Sequence, residues 1–232
     1  MEGRRLTTEF SRTRAAVSWY RHQRFLFLLV VLLVAIALSP LFDNMKLLGM
    51  LSDVFLTLVF LGGLWAVSRQ RAILLTGVVL ALPMLVYTWS VHFIHLYWLT
   101  LIGRSCGILF LLLLVVSILK FIFQSRRVTL ELIHAAVVVY LLIGLCWTFI
   151  YGLIEVMHPG SFSHANPSSS SFAFSYFSFV TLTTLGYGDI SPVAQVARSS
   201  AILEAIIGQL YLTVLVARLV GMQIAQGDAG ED

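Results

Sequence analysis

The sequence predicts an all-α membrane protein with six transmembrane helices per chain. A short re-entrant helix and a loop are placed between helices 5 and 6. Three observations lead there. Hydrophobic residues make up 59% of the 232 residues and charged residues only 11%, where an ordinary globular domain carries about 25% charged residues. Mean hydropathy is +0.93, and apolar runs bounded by basic residues recur along the chain. One apolar segment, Phe172 to Thr183, has only 12 residues, whereas crossing a hydrocarbon core of about 30 Å takes roughly 20. A chain so filled with apolar runs is expected to hold no separate soluble domain. The placement of the net charge of +4 therefore says more than its size, and a nucleic-acid partner is not expected.

Residues 1–24 form a basic segment with six arginines (Arg4, Arg5, Arg12, Arg14, Arg21, Arg24) against Glu2 and Glu9. Loops rich in Lys and Arg stay in the cytoplasm, so this end is expected inside. A nucleic-acid-binding arm is the competing reading, but the basic run abuts an apolar one. The first span is Phe25 to Ser39, stopped by Pro40. A basic leader, a short apolar run and Ala35-Ile36-Ala37 also fit a signal peptide. Cleavage there would leave the later topology unchanged.

The second span covers Leu47 to Val67, with Arg69 and Arg71 inside. The third covers Ala72 to Ser90, kinked by Pro83. His92 and His95 follow on the outer side; their spacing suits a metal, but two histidines without a further ligand read better as interfacial residues. The fourth span runs from Arg104 to Phe123, with Arg126 and Arg127 inside, and Gly103-x-x-x-Gly107 offers a close helix contact. Cys106 and Cys146 lie within apolar runs and read as buried free thiols.

The fifth span covers Thr129 to Gly152. An outer loop follows from Glu155 to Ser171, and a residue of its serine run, Ser168 to Ser171, is expected to cap the short helix. Then come Thr183-Thr184-Leu185-Gly186-Tyr187-Gly188-Asp189 and a 23-residue sixth span, Arg198 to Val220. A polar tail, residues 223–232, is too short to fold alone. Both ends fall inside.

Two glycines around an aromatic can take backbone angles closed to other residues. A strand using those angles turns successive carbonyls to one side. An ordinary Gly-rich turn is the plain alternative, but a half-length apolar helix before the loop and a full span after it favour a re-entrant element. Non-helical backbone at membrane depth is tolerated where it lines a cavity or is buried in protein.

The stretch resembles the selectivity filter of potassium channels, T-V-G-Y-G-D, with Leu185 in the valine position. The resemblance covers about Thr129 to Gly221 and divides the chain into the basic N-terminus, a four-helix region (25–127), a pore domain (128–222) and a short tail (223–232). It implies a homotetrameric pore in a lipid bilayer, in the cell membrane. Potassium would be coordinated by the carbonyls of Thr184, Leu185, Gly186 and Tyr187 and by the Thr184 hydroxyl, with Gly188 completing the filter. Thr183, Asp189, Tyr176 and Glu204 are the expected supports of the filter. No cofactor is expected; K+ is the permeant ion.

The half-helix carries Tyr176 and Phe177 where many relatives have tryptophans, and Val180 where some two-helix channels have a glutamate. Tyr176 becomes the candidate partner of Asp189 by position. Gly208 stands 21 residues after Tyr187, the spacing of a glycine hinge in similar pores; a helix-packing glycine is the other reading. Ala205, Gln209, Leu212 and Val216 form one stripe on the sixth helix, a candidate cavity lining. Glu204 is expected to face protein or water rather than lipid. Filter support by hydrogen bonds to Ser178, Thr181 or backbone, plain helix packing, and a water-filled crevice all remain open for it.

Six spans with the pore last are also the plan of voltage-gated potassium channels, whose fourth helix is basic at every third position. Here Arg104 is followed at that period by Gly107, Phe110, Leu113 and Val116. Four such charges per tetramer crossing the whole field supply about 9 kcal/mol at 100 mV, well short of a steep sensor. A channel without voltage gating is expected. A potassium uptake transporter subunit is the alternative, although such subunits carry four degenerate loops in one chain. An enzyme is not expected, since neither His-Glu-x-x-His nor Gly-x-Ser-x-Gly occurs. Control by a nucleotide would need a regulatory partner.

Overall fold

The computed structural model describes residues 24–42, 46–67, 71–91, 96–163 and 171–228. The basic segment 1–23, His92, His95 and Ser168 to Ser170 of the serine run lie outside the described residues. The described chain is helical, with elements α1 (Arg24–Phe42), α2 (Lys46–Val67), α3 (Arg71–Ser90), α4 (Tyr97–Gln124), α5 (Leu130–Met157), α6 (Ser171–Leu182) and α7 (Gln195–Asp228). Two short strands, β1 (Phe162–Ser163) and β2 (Ser191–Pro192), pair antiparallel on either side of α6. Among the described residues, four helices are long and apolar enough to cross a membrane: α3, α4, α5 and α7.

Several helix limits differ from the expectation. α1 does not stop at Pro40 but reaches Phe42, because a proline that near a helix end removes only one ladder bond. α3 (Arg71–Ser90), by contrast, keeps close to the expected limits, with Pro83 inside the helix. α4 begins at Tyr97 rather than at Arg104; the arginine sits inside the helix with its Nε donating to the Tyr87 hydroxyl at 3.3 Å, so the hydropathy edge is not the helix edge. α5 runs past Gly152 to Met157. Its start is fixed by Thr129, whose hydroxyl accepts from the Leu132 N–H at 3.3 Å. Just past its end, the Glu155 carboxylate accepts the N–H groups of Gly160 and Ser161 at 2.7 and 3.0 Å. α7 continues through the polar tail to Asp228, carried by propagation of a helix already nucleated.

α5 is the most buried of the long helices and α7 the least. α5 packs on α1, α4, α6 and α7, while α2 and α3 lie on α1 and α4. Glycines set the close approaches. Gly103 lies against Tyr87 of α3, and a Cβ on Gly107 would come within 2.9 Å of the Met84 sulfur. Near the start of α1, Arg24 pairs with Glu131 of α5 at 3.3 Å, donates to the Ala66 carbonyl of α2 at 3.2 Å and lies over Phe25 and Phe121. At the end of α4, one guanidinium nitrogen of Arg218 on α7 donates to the carbonyls of Ile122, Phe123 and Ser125 at 2.7–3.1 Å. Of these, Phe123 lies in the last turn of α4, whose carbonyls a helix end leaves without partners within the helix.

Candidate functional site

The loop between α6 and α7 is built as the C-terminal cap of α6. The Leu185 N–H donates to the Val180 carbonyl at 2.9 Å and the Thr184 N–H to the Thr181 carbonyl at 2.9 Å. This pair of bonds is a Schellman cap. Such a cap needs one residue in the left-handed region, ordinarily glycine, and Thr184 occupies it with φ +59°. It is the only non-glycine with positive φ among the described residues. A β-branched residue there is an outlier. Sequence reasoning looked to the glycines for unusual angles and missed the threonine.

From Thr184 the left-handed angle returns at every second residue, with Gly186 at +59° and Gly188 at +78°. Ordinary strand backbone points successive carbonyls to opposite sides. Alternating the sign of φ cancels that reversal, so the loop can present its carbonyls in one column. Ideal Cβ atoms at Gly186 and Gly188 would meet nothing within 4 Å. Backbone angle, not space, therefore requires glycine at both places.

Side chains hold the loop from outside and behind. The Tyr187 ring stacks on Tyr176 of α6, with centroids 6.4 Å apart and planes within 6°. The Tyr176 hydroxyl donates to Asp189 Oδ2 at 2.7 Å, while Oδ1 accepts the Ile190 N–H at 3.0 Å. The Tyr176 bond is the first cause holding the Asp189 carboxyl below its ordinary value. Thr183 donates to the Phe179 carbonyl at 2.6 Å. Beyond Asp189, the β1–β2 pair ties the segment to the end of α5, and the Ser163 and Ser191 hydroxyls meet at 2.7 Å.

Glu204 of α7 is fully buried. It accepts from the Tyr151 hydroxyl of α5 and lies 2.6 Å from the Ser178 hydroxyl of α6. Tyr151 was not among the residues singled out by sequence, and a partner 53 positions away leaves no signal in one chain. One turn later, Gly208 passes under the end of α6, where an added Cβ would stand 2.6 Å from the Leu182 carbonyl. The packing role of Gly208 is thus present, and α7 is continuous through it. On the free side of α7, Gln209, Leu212 and Val216 are exposed and Ala205 is half-buried. Among the described residues no group of three metal-ligating side chains occurs.

A family model described as "Ion channel" matches residues 128–224, which takes in α5, α6, the loop and most of α7. Protein LctB of Bacillus caldotenax is 32% identical over 102 residues, 41% of this chain and 75% of that protein. The chain belongs to the ion channel family. That family includes potassium channel pore domains. No solved structure matches the chain. Within this ion channel, the matched part leaves α1 to α4 outside, and the loop with alternating backbone angles lies at its centre.

Proposed function

We propose that this ion channel is potassium-selective and assembles as a homotetramer around the loop of residues 184–188. The alternation of left-handed angles at Thr184, Gly186 and Gly188 carries the reading. Four columns of carbonyls, from Thr184, Leu185, Gly186 and Tyr187, then replace the water shell of a dehydrated K+. The negative end of the α6 dipole adds favourable potential below them. Each chain spans the bilayer of the cell membrane six times, counting α1 and α2, with α6 and the loop re-entrant and both termini cytoplasmic. Residues 128–222 are the pore domain. Residues 25–127 surround it without sensing voltage, between the basic segment 1–24 and the tail 223–232.

Purified protein in liposomes tests this. Potassium and rubidium fluxes are expected to exceed sodium flux by more than tenfold. Gly186→Ala places a side chain in open space but in a left-handed angle that costs about 1–2 kcal/mol. It is expected to keep assembly and lose discrimination. Equal sodium and potassium flux through the parent protein overturns the reading.

A further inference from the structure

Behind the loop, Tyr151 and Gly144 of α5, Ser178 of α6 and Glu204 of α7 form one polar knot among apolar side chains. Three contacts join these residues, and the Thr148 hydroxyl also donates to the Gly144 carbonyl at 3.0 Å. Tyr151 Oη meets Glu204 Oε2, Ser178 Oγ meets Glu204 Oε1 at 2.6 Å, and Ser178 Oγ meets the Gly144 carbonyl at 2.7 Å. Each hydrogen bond needs one hydrogen. Tyr151 brings one and Ser178 brings one, while a carbonyl brings none.

The third hydrogen has one available source. If the Ser178 hydrogen points at Gly144, the hydroxyl oxygen and an ionised Glu204 face each other at 2.6 Å with nothing between them. If it points at Glu204, the Ser178 oxygen and the Gly144 carbonyl are left as two acceptors 2.7 Å apart. We infer that Glu204 carries the missing proton, so that its carboxylic acid donates to Ser178, Ser178 donates to Gly144, and Tyr151 donates to Glu204. A buried carboxylate without a cation is costly, and such groups neutralise instead.

The charged and titratable groups around the knot are consistent with a neutral acid. α5 contributes Tyr140, Cys146 and Tyr151, none of them cationic. Arg104 of α4 lies against Gly152 and donates to Tyr87, and Arg198 of α7 donates to the Pro192 carbonyl. From α6 comes Ser178, while Tyr176 faces Asp189.

The acid thereby positions α6. Ser178 precedes the first loop residue, Thr184, by under two turns, and the proton on Glu204 leaves its hydroxyl free to hold α6 onto Gly144. Loss of the proton at alkaline pH forces Ser178 to give up one of its two partners. The effect on permeation rests on the potassium-channel reading of the loop. The protonation itself does not.

Difference infrared spectra of the parent protein and Glu204→Gln in liposomes at neutral pH separate the two. A protonated-carboxyl C=O band present in the parent and missing from the variant is expected; no such band overturns the inference whether or not the protein selects potassium. Should Glu204→Gln fail to assemble, Tyr151→Phe removes one donor from the same carboxyl, and its band is expected to move to higher frequency. An unmoved band counts against the knot.

The pH profile of potassium-over-sodium flux is the second reading. The side-chain amide of Gln donates to Ser178 and accepts from Tyr151, so Glu204→Gln is expected within about twofold of the parent at neutral pH. It is also expected to lack the parent's decline at alkaline pH. A tenfold loss in the glutamine variant at neutral pH, or identical alkaline declines in both proteins, overturns the inference.

Discussion

Thr184 does two jobs that pull in different directions. It closes α6 from a left-handed angle that costs a β-branched residue of order 1–3 kcal/mol, and its hydroxyl is the one side-chain oxygen among the proposed ion ligands. Thr184→Gly separates them: thermal stability is expected to hold or rise while potassium discrimination falls. A drop in stability would show that the angle is not strained. Asp189, outside the spanning helices, offers a pH test. Its carboxyl is held below the ordinary value first by the Tyr176 hydroxyl. The bond therefore contributes stability above the ordinary aspartate range and loses it as pH falls through the lowered folded value. Tyr176→Phe brings that folded value back toward the unfolded one, so the variant is expected to be less stable than the parent at neutral pH and to lose less stability on acidification. Coincident pH–stability curves would show that the bond does not hold the loop.

Among the elements, α4 and α7 meet in a way no helical period announces. The three carbonyls gathered by Arg218 lie 93–96 residues away in sequence. Hydrogen bonds to a charged donor contribute about 1.5–3 kcal/mol each before solvent competition. Arg218→Gln is expected to destabilise the protein by about 1–3 kcal/mol, seen as a lower thermal midpoint; an unchanged midpoint would reduce the contact to packing. Arg104 of α4 is tied to Tyr87 and wedged against Gly152. Conductance–voltage curves are expected to be shallow, with little change of slope in Arg104→Gln. A steep curve that flattens in that variant would make α4 a sensor. The apolar segments and the short α6 were legible because length against membrane thickness is a one-dimensional property. Helix ends such as those of α4 and α5 were not, because Arg104 and Glu155 find partners that let polar residues sit within a helix.

For the whole molecule, the proposed pore needs more than one chain. A single column of carbonyls would line one side of its axis, and a head-to-tail interface closes a ring only by rotational repetition. The loop was legible at this scale because paired glycines and a short helix are local. Tyr151, which joins α5 to Glu204, was not. Gln209 supplies a second constraint: it is exposed on the single chain midway along α7, and a polar side chain facing hydrocarbon is disfavoured. Turning Gln209 toward a shared axis places it in water and sets the exposed apolar residues Leu203, Ile207 and Val214 toward neighbouring chains or lipid. The assembled particle is expected to have four times the 25.9 kDa mass of one chain. Mixing counts the subunits by function. If every filter is made of four loops, co-reconstituting parent and Gly186→Ala chains in varying ratio reduces selective flux as the fourth power of the parent fraction. A square law would mean that two chains make the pore, and a linear fall would mean that each chain conducts alone, which a single column of carbonyls gives no means to do.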